Sequence, residues 1–230
     1  TAAGISMQIG FVLRFDAQSA TVKQAIDSPD FGRVVLFHAK RNCSADWFPS
    51  YGERAHVAFE TMIHDIDLML WFTGSRAKSV YAIQQHVAGL ANPDALMAQI
   101  QLENGVLVQL ETSWLIPASA PRNVMAGDWV GTIDAAFEVI GSKSTATYRL
   151  LESGVAITSS QPVYCPDLGM WPEIYGQVGG ALRAEDAHFI ECVRTGVPSE
   201  IASLADALHG LEIANAIRES ANSGEIIRFG

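Results

Sequence analysis

Apolar positions along the chain change their period several times, and each change marks an element. Residues 5–15, ISMQIGFVLRF, are rich in strand formers and predict a strand. In the DAQSATVKQAIDSPDFG that follows, Val22, Ala25 and Ile26 recur at helical spacing before a Pro and a Gly, which predicts a helix ending there. RVVLFHAKRN (33–42) predicts a second strand, and CSADWFPSYGER a loop of aromatics and turn formers. A long helix is predicted over about 55–73, with Gly74 placed where a left-handed cap is cheapest. KSVYAIQQHVAGL, ALMAQIQLENGVLVQLETSWLI, AAFEVIGSKSTATYRLL and GVAITS then predict consecutive antiparallel strands, with Asn104-Gly105 as the strongest hairpin signal.

The tail returns to helical spacing. Leu182, Phe189 and Val193 form an apolar series in LRAEDAHFIECVRTG, and Ser203 with Asp206 approximates a capping box ahead of ALHGLEIANAIRES. EIIRF predicts a closing strand. The order implies an α+β fold with an open, largely antiparallel mixed sheet and helices on one face, as one domain over 1–230. Pro117 to Thr132 is rich in Pro, Gly and Ala and is expected to be a long surface loop, not a domain boundary.

Composition narrows the partners. With 49% hydrophobic and 17% charged residues the chain is an ordinary globular protein. A net charge of -10 with only 15 Lys and Arg argues against nucleic acid or an anionic membrane and leaves small molecules and other proteins. Cys43, Cys165 and Cys192 are odd in number and far apart, which suggests neither a disulfide framework nor a zinc site and fits a cytoplasmic location. No run of about 18 apolar residues occurs, and TAAGISMQ lacks the layout of a signal peptide. That opening, without Met, suggests that something upstream was removed.

Candidate chemistry concentrates in HVAFETMIHDID (56–67). On one continuous helix, Glu60, His64 and Asp67 fall about 40°, 80° and 20° from His56, a single polar stripe with Asp65 opposite. Three uses remain open for the stripe. It is a solvent face, a metal site built on His, Glu and His at successive i+4 positions, or an acid/base pair in which a carboxylate fixes a histidine. The metal use is disfavoured because no HExxH and no third strong ligand are evident, so no metal is expected.

His56 and Asp67 of the stripe are candidates for substrate contact, and so are four other side chains, each with a structural alternative. Arg14, followed by Asp16, is a substrate contact or an ion pair. Lys40 near the second strand's end reaches a polar ligand or water. Trp47 and Tyr51, in the loop entering the helix, stack on a sugar ring or pin that loop to the core. His188, between Asp186 and Glu191, is expected at the surface, and Trp114, Trp129 and Trp171 in the core or an interface.

The series RFD (14–16), FGRVV (31–35), ETMIHDIDLMLWFTG (60–74), ENG (103–105), EVIGSKSTA (138–146), AEDAHFIECVRTGVPS (184–199) and ALHGLEIANAIRES (207–220) resembles the C-terminal domain of the Gfo/Idh/MocA oxidoreductases. The resemblance spans essentially the whole chain. It implies a sugar or polyol (inositol-like) substrate, NAD or NADP held by an N-terminal Rossmann domain, and His64 as acid/base for the hydroxyl whose carbon loses hydride. It also implies substrate contacts and oligomerisation in this domain, and so a homodimer through the open sheet. Glu60 stands where the family has Asp, and ERAHVAF replaces the family's glycine-rich approach to the helix.

No GxGxxG and no Lys-Pro pair occur in the chain. The expectation is therefore the substrate portion of an NAD(P)-dependent dehydrogenase, with no dinucleotide bound to 1–230 and no activity from it alone. The alternatives from other classes are a stand-alone ligand-binding or scaffold protein and a metal-dependent hydrolase.

Overall fold

Buried and exposed side chains alternate through most of a seven-stranded sheet, and this alternation sets the architecture. The structure, a computed structural model, describes residues 5–126, 129–152 and 154–230, so the TAAG opening and positions 127 and 128 of the expected loop lie outside it. The elements in chain order are α1 (Ala17–Ile26), β1 (Val34–Ser44), α2 (Phe48–Tyr51), α3 (Val57–Glu60), α4 (Ile63–Thr73), β2 (Ala77–Gln85), β3 (Ala95–Leu102) and β4 (Leu107–Ile116). They continue with β5 (Val124–Ala126), β6 (Trp129–Gly131), β7 (Ile133–Gly141), β8 (Thr145–Arg149), β9 (Glu173–Ile174), β10 (Gln177–Val178), α5 (Gly180–Thr195), α6 (Leu204–Ser223) and β11 (Ile227–Arg228).

The sheet runs β11-β2-β3-β4-β1-β7-β8. Its neighbours are antiparallel except β1 and β4, which pair in parallel, so the sheet is mixed and largely antiparallel. On one face Phe37, Ala39, Val80, Ala82, Leu96, Ile100, Val108 and Leu110 are buried under α4 and α6, whose Ile66, Leu68, Met69, Ile213 and Ile217 are closed to water. The other face bears Tyr81, Ile83, Met97 and Leu107, between 39% and 54% exposed. Among the described residues no helix is long and apolar enough to cross a membrane.

Several local signals act as expected. Gly74 caps α4 at φ 57° with its N–H on the Leu70 carbonyl, and the Ser203 side chain accepts from the Asp206 N–H at 3.0 Å. Gly105, at φ 88°, turns β3 into β4.

Four expectations about local structure are corrected. Residues 5–15 form no strand; Val12–Phe15 is a 3-10 turn laid against α5, which buries Arg14 outside the sheet. GVAITS contributes only a bridge between Ile157 and Tyr164. The expected surface loop at 117–132 carries a two-stranded ribbon, β5 with β6, whose flanks Asn123 and Thr132 are buried.

The fourth correction bears on function: the helix expected over 55–73 is two helices. Between them the Met62 N–H bonds the Val57 carbonyl at 3.0 Å, an i→i−5 turn that inserts one residue into the helical count. The rotation that aligns His56, Glu60, His64 and Asp67 on a straight helix is lost there.

Candidate active site

The i→i−5 turn redistributes the polar stripe among different partners. His56 becomes the N-cap of α3, with Nδ1 accepting from the Ala58 N–H at 3.2 Å and Nε2 3.4 Å from Gln84 Oε1. Asp67 goes to the interior, where Arg14 holds both carboxylate oxygens from Nε and Nη2 at 2.7 to 3.1 Å. Arg14 also donates to the Ile201 carbonyl and to Asp206. Both residues are thereby spent on structure, and neither lines the cavity described next.

Glu60 and His64 stay together. Both line a pocket of about 210 Å³ with Arg41, Thr61, Asn123, Tyr148, Asp167 and Trp171 among its walls. Glu60 accepts from the Thr61 hydroxyl at 2.5 Å, and that hydroxyl accepts from Trp114 Nε1 at 2.7 Å. The expected Glu60–His64 hydrogen bond is not made. His64 Nδ1 is closed to water and has no hydrogen-bond partner among the described residues.

The charges around this pair set its protonation. Burial pushes His64 down to about 4, with the Arg41 guanidinium adding to the effect. Its place in the first turn of α4, at the positive end of the helix dipole, acts in the same direction. His64 is thus a neutral acceptor across the physiological range. Burial raises Glu60, while the Thr61 hydroxyl and Arg41 pull it back. Burial also pushes the Cys43 thiol, in the same wall, up to about 12, which leaves it a protonated and inert group.

Arg41 reaches the site because β1 alternates. Phe37, Ala39, Arg41 and Cys43 all face the helices, and Arg41 meets Asp65 through Nε and Nη2 at 3.0 and 2.8 Å. Asp65, excluded from the stripe by helical geometry, serves as that buried partner. The same alternation sends Lys40 to the opposite face of the sheet, where it pairs with Asp134 at 2.5 Å. Lys40 is thus not brought together with His64: period two separates the two by the thickness of the sheet.

Trp47 and Tyr51 join an aromatic group with Trp114 and Trp129. Trp47 lies 5.3 Å from Trp129 and 6.5 Å from Trp114, and Tyr51 packs 5.3 and 5.4 Å from Trp114 and Trp129. Trp114 is core, Trp129 is 41% exposed and Trp171 stands in the pocket wall. His188 is half-buried, 2.8 Å from Ser199 and beside the Phe15 ring, not a free surface group.

Tyr148, Asp167, Asn123 and Arg41 were not among the sequence candidates. An arginine on the apolar register of a strand was a legible signal for Arg41. Asp167 lies in irregular chain, its carboxylate accepting from the N–H groups of Gly169 and Met170, and no periodicity marks it.

Comparison with known proteins bears on the family and the fold. Inositol 2-dehydrogenase 2 of Saccharopolyspora erythraea is 32% identical over 108 residues, covering 46% of this chain and 31% of that protein. The scyllo-inositol 2-dehydrogenase (NAD(+)) of Bacillus subtilis is 25% identical over 231 residues, 96% of this chain and 62% of that protein. The crystal structure of scyllo-inositol dehydrogenase from Lactobacillus casei, with bound NAD(H) and scyllo-inositol, shares the fold at TM-score 0.77 and 22% identity, over 98% of this chain and 65% of that one. The chain thus spans between 31% and 65% of the length of these relatives. Residues 19–147, more than half of the chain, match the GFO/IDH/MocA C-terminal domain, and the chain belongs to that family.

Proposed function

We propose that the chain binds a polyol or sugar for an NAD(P)-dependent dehydrogenase and that His64 takes the proton of the hydroxyl being oxidised. The observation that carries this reading is His64 itself: a neutral imidazole in a pocket wall, with a buried ring nitrogen that no described residue satisfies. A buried polar atom left so costs about 1–3 kcal/mol, which a protein partner turning to it on ligand binding would recover. Glu60, on the same wall, is the group that would stabilise the imidazolium as the proton arrives, by exchanging Thr61 for His64. Tyr148, the Asp167 carboxylate and the N–H groups that Arg41 and Asn123 do not spend on Asp65 and Ile133 would supply donors and acceptors for the remaining hydroxyls.

The relatives named as inositol dehydrogenases support a cyclic polyol as the substrate class. The pocket suits such a ring and not a dinucleotide: its one Lys or Arg, Arg41, is tied to Asp65, which leaves nothing to neutralise a pyrophosphate. NAD(P) would supply the hydride acceptor from residues outside 1–230, and the chain alone has no dehydrogenase activity. The open sheet face, with Tyr81, Ile83, Met97 and Leu107, would join two copies.

Calorimetric titration of residues 1–230 with a panel of inositols and sugars tests the site. Binding that disappears in His64→Ala is expected, with no NADH formed when NAD is added. Turnover by 1–230 alone would remove the claim of inactivity, and an absence of binding to every polyol would remove the site.

A further inference from the structure

A second cavity, of about 280 Å³, abuts the polyol pocket. Glu60, Cys43 and Trp171 stand in the walls of both. Its other principal walls are the indoles of Trp47, Trp114 and Trp129. We propose that this tryptophan-walled annex receives an apolar, aryl-sized substituent carried by the polyol ring, so that the substrate is a substituted polyol or glycoside and not a bare inositol. The proposal rests on the reading of the His64 pocket as a polyol site.

The chemistry of the walls selects the occupant. Among the described residues Glu60 is the one charged group lining the annex, and Trp114 Nε1 is already committed to Thr61. A hydroxyl-rich second ring would leave its polar groups unpaired there. A flat apolar group instead gains aromatic faces on several sides, in the offset and edge-on geometries that indoles favour. The first pocket, about 210 Å³, is below the roughly 300–1,000 Å³ usual for small-molecule sites, and the annex extends it past Glu60, Cys43 and Trp171.

The annex is also held open by the fold. A Cβ at Gly131 would lie 2.6 Å from the Trp47 ring and 2.5 Å from Ser44 Oγ, so β6 presses directly on that indole. Ser44 and Thr132 fix the ribbon to β1 through two hydrogen bonds of 2.7 and 3.0 Å. The Trp114–Thr61–Glu60 chain then ties the aromatic wall to the carboxylate at the boundary of the two cavities.

Titration of residues 1–230 with methyl β-glucoside, phenyl β-glucoside and myo-inositol tests the annex. The phenyl glycoside is expected to bind about tenfold more tightly than the methyl glycoside. Trp129→Ala, at the half-open wall, is expected to close most of that gap, with Trp129→Phe restoring part of it. In the unsubstituted protein, magnetisation transfer from indole protons to the phenyl group provides a readout that does not depend on folding of a variant. Equal affinity for the two glycosides, or a phenyl preference untouched by Trp129→Ala with no transfer from the indoles, overturns the proposal while His64-dependent polyol binding stands. Failure of all three ligands to bind overturns both.

Discussion

Arg14 and Asp67 face each other in the interior, their side chains 2% and 1% exposed, with the guanidinium edge on both carboxylate oxygens. The pair joins the N-terminal 3-10 turn to α4. Removing one member leaves a buried charge without its partner, so Arg14→Met is expected to cost about 3–5 kcal/mol in denaturant unfolding. Arg14→Met with Asp67→Leu is expected to recover most of that loss, and polyol binding by the folded protein is expected to be unaffected. A single variant of normal stability but weakened ligand binding would show that Arg14 is a substrate contact after all.

Lys40 and Glu60 make a matched comparison across the sheet. Lys40→Ala is expected to leave polyol affinity as it is, since the side chain pairs with Asp134 on the far face. Glu60→Gln, in the pocket wall, is expected to weaken binding about tenfold. A calorimetric result with the order reversed would place the site on the other face.

The depressed His64 value fixes a pH dependence with a definite sign. Unfolded, the imidazole takes its proton near 6.5; folded, only near 4. Between those values the unfolded chain holds the extra proton, so this contribution to stability is full above about 6.5 and is lost as pH falls towards about 4. Relative to His64→Gln, the native protein is expected to lose about 1.4 kcal/mol per pH unit in that window. Urea unfolding of both proteins at intervals from pH 7 to pH 4 measures the difference, in which the carboxylates common to both largely cancel. A constant difference would mean that His64 titrates normally in the folded state.

The open sheet face predicts self-association. Light scattering of residues 1–230 is expected to give a dimer, and Met97→Lys with Leu107→Lys a monomer, because two charges would then have to be buried across the contact. A monomeric native chain at micromolar concentration contradicts the proposed interface.

Much of the fold was legible because strand alternation and turn chemistry are local. β1 to β4, the turn at Gly105, the caps at Gly74 and Ser203, and both C-terminal helices follow from residue type and period alone. Glu60 and His64 were legible as a pair four apart, and they do share a wall. The straight-helix stripe failed at the single i→i−5 bond from Met62 to Val57, a backbone event that side-chain period does not encode. Arg14 and the 3-10 turn failed for another reason: a strand-prone composition is decided by whether a sheet edge is available, and here the segment packs on α5. Tyr148 and Asp167 reach the pocket from distant parts of the chain, which only the assembled fold brings together.

The most direct test of His64 as the substrate-facing base is the nitrogen-15 resonance of its ring in residues 1–230 during titration with inositols and glycosides. The account predicts a neutral ring at pH 7, with Nδ1 or Nε2 shifting as ligand binds and the whole response absent in His64→Ala. A ring that is protonated at pH 7, or one that stays unchanged while ligand binding is registered elsewhere on the protein, would contradict it.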